Sequence, residues 1–184
     1  FIATELLNHT NIPRIIGNMF NKIMRPLFNV PGIGAYALFM GIISGYPVGA
    51  KIVTNFRNEN LCTKEEAERL ITFTNNSGPL FILGTVGITL FYDSSLGLLL
   101  LCTHILACIS VGIIFRFWKK NIKEKRNTDT LATNISFNSL GEVLSKSILS
   151  AINSVVLIGG FIVLFGIIFS ILQKAHILTF LKLP

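Results

Sequence analysis

Two short runs of this chain set polar side chains and unusual backbone residues inside otherwise apolar sequence. Ser44-Gly45-Tyr46-Pro47-Val48-Gly49-Ala50-Lys51 interrupts one apolar stretch, and Asn75-Asn76-Ser77-Gly78-Pro79-Leu80 opens another. The chemistry open to such residues is binding rather than bond-making. Pro47 removes a backbone donor and clashes with the preceding turn, which predicts a kink or unwinding near Ser44. Unwinding frees carbonyl and N–H groups near Gly45 and Gly49, and where water is excluded these need partners. A polar ligand, water or a facing break can supply them. At the second run, Ser77 or Gly78 can cap a new helix and Pro79 suits its first turn. The unpaired N–H groups of that turn form a ready anion site, although an ordinary interfacial cap has the same sequence. Lys51 has two readings, a side chain that snorkels to the interface or a counter-charge for an anionic substrate. Tyr46 can stack on an aromatic ring or simply pack. The candidate substrate-binding residues are therefore Ser44, Gly45, Tyr46, Pro47, Gly49, Lys51, Asn75, Asn76, Ser77, Gly78 and Pro79.

Other chemistry finds little support. His104 lies near the middle of an apolar run, where an ionisable residue is a functional candidate and a neutral histidine bonding a neighbouring helix is the plainer alternative. Cys62, Cys102 and Cys108 form no CxxC pair, and Cys102 and Cys108 share one apolar run, so they read as small packing residues rather than a disulfide framework or zinc site. No cofactor or metal is expected. HExxH, GxSxG and paired carboxylates inside a span are all absent from the sequence, which argues against an enzyme.

The elements that must position these residues are helices. Residues 1–27 suggest an amphipathic segment at the membrane interface, with Ile15, Ile16, Met19, Phe20 and Ile23 on one face. Phe28–Ile43 is almost uniformly apolar, with Pro31 where a helix can begin. Ala37, Gly41, Gly45 and Gly49 recur every four residues, a stripe of small residues that lets another backbone approach. Thr63-Lys64-Glu65-Glu66 has the form of a capping box. It predicts a short interfacial helix with Ala67, Leu70, Ile71 and Thr74 on one face and its charges solvated. Leu80–Tyr92 is apolar for about a dozen residues, short of the about 20 that a full span needs. Leu96–Trp118 reads as a spanning helix anchored by Arg116 and Trp118. After the basic linker 119–136, Phe137–Ser150 is amphipathic and Ala151–Leu172 is a second span. The expected organisation is thus an interfacial segment (1–27), a first transmembrane unit (28–118), a basic cytoplasmic linker (119–136) and the start of a second unit (137–184). The fold class is an all-α polytopic membrane protein, with broken or re-entrant transmembrane helices and interfacial amphipathic helices.

Composition agrees. Across 184 residues the mean hydropathy is +0.65, and only 14% of residues are charged, against about 25% in soluble domains. The formal charge of +7 comes from 16 Lys and Arg against 9 Asp and Glu. These charges gather between apolar runs, the pattern of juxtamembrane loops. No nucleic-acid-binding motif accompanies them, so nucleic acid is not an expected partner. The chain begins at Phe1 rather than Met and ends at Pro184, so it is expected to be a fragment whose site continues into a missing part. A homo-oligomer is left open.

Arg25-Pro26-Leu27-Phe28 followed by Gly32, then the Ser44–Lys51 run, then Asn75–Pro79 with Leu80-Phe81-Ile82, resemble the sporulation integral membrane protein YlbJ family. Ser150-Ala151-Ile152-Asn153 through Gly159-Gly160-Phe161 is similar to that family's middle region. The family belongs with the Gate, or nucleoside-recognition, domains and is similar to concentrative nucleoside transporters. The resemblance implies a multi-pass transporter of endospore-forming bacteria, with two related halves of which this chain holds mainly the first. It also implies movement of dipicolinate, a small aromatic dicarboxylate, across the outer forespore membrane. Nucleoside transport and a non-transporting membrane scaffold are the alternatives.

Overall fold

The computed structural model of the chain describes residues 2–8, 10–119 and 140–175. Every element among them is helical: α1 (Ile2–Asn8), α2 (Ile12–Phe28), α3 (Gly34–Ser44), α4 (Val48–Asn58), α5 (Lys64–Thr74), a π-helix (Phe81–Leu90), α6 (Ser94–Phe115) and α7 (Leu140–Lys174). The predicted linker lies outside the described residues except for Lys119, as do residues 137–139 and 176–184.

The interior forms where α2, α3, α4 and α5 meet. Phe28 stacks on Phe73 with ring centroids 4.6 Å apart. Tyr36, Ile52, Val53 and Leu70 are buried around them. The apolar face of α2 divides. Ile16 and Phe20 pack toward the core, whereas Ile15, Met19 and Ile23 stay exposed. The single face expected for 1–27 is therefore two, one for the core and one available to lipid.

The capping box of α5 forms as predicted. Glu66 N donates to Thr63 Oγ1 at 3.2 Å, and Thr63 N donates to the Glu66 carboxylate at 2.9 Å. The rest of α5 is more enclosed than its sequence pattern suggests. It packs against α3, α4 and α6, burying Ala67, Leu70, Phe73 and Thr74 while Ile71 points out. Its charges are not all solvated either, since Glu66 and Arg69 are buried. The Arg69 guanidinium donates to the Trp118 carbonyl at 2.6 Å, which holds α5 to the far end of α6.

α6 (Ser94–Phe115) is 22 residues long and apolar, and Gly141–Lys174 of α7 is equally apolar, so both suffice to cross a bilayer. Asp93 caps α6 by accepting from Ser95 N at 2.8 Å. The amphipathic Phe137–Ser150 segment and the Ala151–Leu172 span, expected as separate elements, are from Leu140 onward one helix of 35 residues. At 1.5 Å per residue it runs about 52 Å, well beyond the about 30 Å of hydrocarbon. α7 packs on α1, and most of its apolar surface is exposed.

Candidate functional site

The apolar run that contains Pro47 does break. α3 ends at Ser44 and α4 begins at Val48, joined by Gly45, Tyr46 and Pro47. Gly45 has φ +76° and ψ −169°, a region essentially closed to side chains with a Cβ. Its N–H still donates to Gly41 O at 3.0 Å and its carbonyl accepts from Val48 N at 3.0 Å, so the linker satisfies much of its own backbone. The peptide bond between Tyr46 and Pro47 is cis.

The second break lies against the first. α5 stops at Thr74, and a new helix starts at Pro79 and continues as the π-helix. A Cβ on Gly45 would come within 2.9 Å of Gly78 N, and Cβ atoms on Gly41 and Gly49 would run into the Thr74 carbonyl oxygen. The stripe of small residues thus receives the backbone of the second break, as helix packing by small residues allows. The π-helix has wide turns, closing with Phe91 N donating to Val86 O five residues back. Such i→i+5 turns are uncommon and occur often at functional sites.

Between the breaks is a cleft of about 560 Å³, within the about 300–1,000 Å³ typical of small-molecule sites. Ser44, Gly45, Tyr46, Ser77 and Gly78 supply its polar lining, and Ile43, Leu80 and Phe81 supply apolar walls. Tyr46, which lines it, is exposed. Five of the predicted residues therefore share one cleft.

The other six do not line it. Pro47, Gly49 and Pro79 shape the backbone around the breaks. Asn75 is half-buried with a side-chain oxygen that meets no partner among the described residues. Asn76 is buried, and its amide nitrogen donates to Phe73 O at 3.0 Å. Lys51 corrects the reading of a counter-charge at the break. One turn into α4, its ammonium turns toward α1 and α7, pairs with the Glu5 carboxylate at 3.3 Å and donates to Ser150 Oγ at 2.6 Å. A cation already neutralised there is not free to meet a solute between Gly45 and Gly78.

Two residues of α6 complete the second break. Ser77 N donates to His104 Nε2 at 3.3 Å, and Cys108 Sγ donates to Asn76 Oδ1 at 2.7 Å. His104 and Cys108 are four residues apart, one helical turn, so both face the same strip of backbone. His104 takes the role of a histidine bonding a neighbouring segment. Cys108 is not among the residues expected at the site, although its one-turn spacing from His104 is visible in the sequence.

Over a 197-residue alignment the chain is 37% identical to the sporulation integral membrane protein YlbJ of Bacillus subtilis (strain 168), which covers 97% of this chain and 48% of that relative. The chain thus spans about half the length of the curated relative it matches. No family model matches the chain, and no solved structure matches it. Identity at this level along nearly the whole chain, joined to an all-helical architecture with two membrane-length apolar helices, makes this chain a member of the family of the sporulation integral membrane protein YlbJ.

Proposed function

We propose that this chain forms half of a non-enzymatic secondary transporter of a small anionic solute, with the solute held between the two breaks. The observation that carries the proposal is the cleft at Gly45 and Gly78. Broken helices that meet around a cleft are how transporters build a site within the membrane, and rocking around it gives alternating access. The new helix from Pro79 opens beside Gly78, so its N-terminal dipole favours negative charge at the cleft. Ser44 and Ser77 add hydroxyl donors, and Tyr46 offers a ring for stacking. With Lys51 engaged by Glu5, attraction for an anion comes from the helix terminus and these donors. A small aromatic dicarboxylate matches that set, so the proposed solute is dipicolinate and the proposed membranes are the cell membrane and the outer forespore membrane of a sporulating bacterium. The remainder of the full-length protein supplies the facing half. Nucleoside uptake has less to draw on, because the amide of Asn76 is engaged by Phe73 and Cys108 and, among the described residues, no carboxylate lines the cleft.

The test is uptake of labelled dipicolinate and labelled uridine by the full-length protein in liposomes. Dipicolinate uptake without uridine uptake is expected, falling about fivefold for Tyr46→Ala, on the scale of one lost stacking contact. Uridine uptake alone would move the assignment to nucleosides. Uptake of neither by a correctly folded protein would favour a scaffold role for the glycine stripe.

A further inference from the structure

His104 sits halfway along α6. Twenty-two residues at 1.5 Å each give about 33 Å, close to the thickness of the hydrocarbon, so the imidazole lies near the midplane. Ionisable residues at that depth mark ion pathways and proton relays. A backbone N–H can only donate, so the bond from Ser77 N to Nε2 requires an unprotonated Nε2 and a neutral ring. Beside it, Cys108 Sγ is 3.8 Å from Nε2 and engages Asn76 Oδ1.

We infer that His104 is a proton-binding site whose protonation releases the second break from α6 and makes the proton the coupling ion of transport. A hydronium ion that reaches the cleft, which Ser77 lines, gives its proton to Nε2 to form a new N–H and leaves as water. That N–H faces the Ser77 N–H, so their bond is lost, and the imidazolium turns to the sulfur of Cys108 and the carbonyl of Asn76. Because Gly78 lies against Gly45, movement of residues 76–78 changes the cleft itself. A positive ring beside the cleft also favours an anion within it, and by linkage each ligand strengthens the other by the same factor. The pair would then move together, an anion–proton symport.

The surroundings isolate this switch. On α6 the neighbouring titratable group is Cys108. The π-helix packed on α6 carries no titratable side chain. The charged residues of α5 are Lys64, Glu65, Glu66, Glu68 and Arg69, none beyond its midpoint, with Glu68 and Arg69 held at the Trp118 end of α6. Those of α2, Arg14, Lys22 and Arg25, are exposed. Among the described residues no charged side chain hydrogen-bonds to His104.

The coupling half of this inference rests on the transport reading, so the experiment separates the two. The full-length protein in liposomes containing a lumenal pH dye is given labelled dipicolinate. Wild type is expected to acidify the lumen as solute enters, and an inward acid gradient is expected to raise uptake about tenfold. His104→Gln, which can still accept from Ser77, is expected to lose the acidification and the response to the gradient. Uptake without acidification in wild type, or a gradient response retained by the variant, overturns the coupling. If wild type moves no solute, the transport reading fails and imidazole 15N resonances decide the site. Protonation of the ring at Nε2 as acid is added, missing from His104→Gln and accompanied by a shift of the Ser77 amide, upholds it. A Ser77 amide that does not move, with no change at Nε2, overturns it.

Discussion

At Lys51 a residue suited to one task is engaged in another. A lysine next to a helix break invites a substrate-binding role, yet its ammonium closes a cluster with Glu5, Ser150 and Ser154 that joins α4 to α1 and α7. The pair is partly shielded, with side-chain exposures of 25% and 13%. Removing one partner leaves the other charge under-compensated, at less than the about 3–5 kcal/mol seen for fully buried pairs. Lys51→Gln and Glu5→Gln are each expected to lower stability by about 1–2 kcal/mol, and the double variant by less than their sum. Thermal unfolding in detergent tests this. Strict additivity would show that the pair contributes no coupling. Gly49 needs no such cycle to explain it, since only a residue without a Cβ leaves room for the Thr74 carbonyl.

Among the elements, the contact between α5 and the end of α6 is electrostatic and open to titration. Trp118 Nε1 donates to the Glu68 carboxylate at 3.0 Å, and Lys119 Nζ meets it at 2.9 Å. The Trp118 bond first, and Lys119 after it, hold the Glu68 carboxyl below its ordinary value of 4.5. A depressed carboxyl means that the fold favours the charged form. The contact is then complete at pH values above the ordinary carboxylate range and is lost as pH falls below it, through the folded-state value. Trp118 is the sole tryptophan of the chain, so its fluorescence should change as acid is added below pH 4.5. Glu68→Gln should remove that transition. A transition that persists in the variant would place its origin elsewhere.

For the whole molecule, α6 and α7 present apolar surface that only lipid or another apolar partner can cover. Cys102 is exposed on α6, whereas Cys62 is buried in the interior. In liposomes a membrane-impermeant maleimide is expected to leave Cys102 unlabelled, and denaturation in detergent should open it to labelling. Rapid labelling in intact liposomes would show that this face of α6 meets water. The same exposure suits α7, whose polar contacts gather at Ser150 and Ser154 near its packing on α1.

Much of this architecture could be read before folding was considered. Helix breaks at Pro47 and at Ser77–Pro79, the capping box at Thr63 and two apolar spans all arise from local chemistry. A missing donor, a side-chain cap and a run of apolar residues act within a few neighbouring positions. What the line of residues could not state is which distant groups meet. The direction of Lys51 depends on Glu5 and Ser150, 46 residues before it and 99 after it. The burial of α5 depends on three helices closing around it, so its amphipathic pattern alone does not show that Glu66 and Arg69 are enclosed. The bond from Ser77 to His104 joins residues 27 apart through the packing of α6 on the second break. Local sequence determines where a helix starts, stops or unwinds, because those energies are short-ranged. Tertiary packing decides which charges are neutralised and which polar atoms face the cleft, because those energies depend on partners brought together only by the fold.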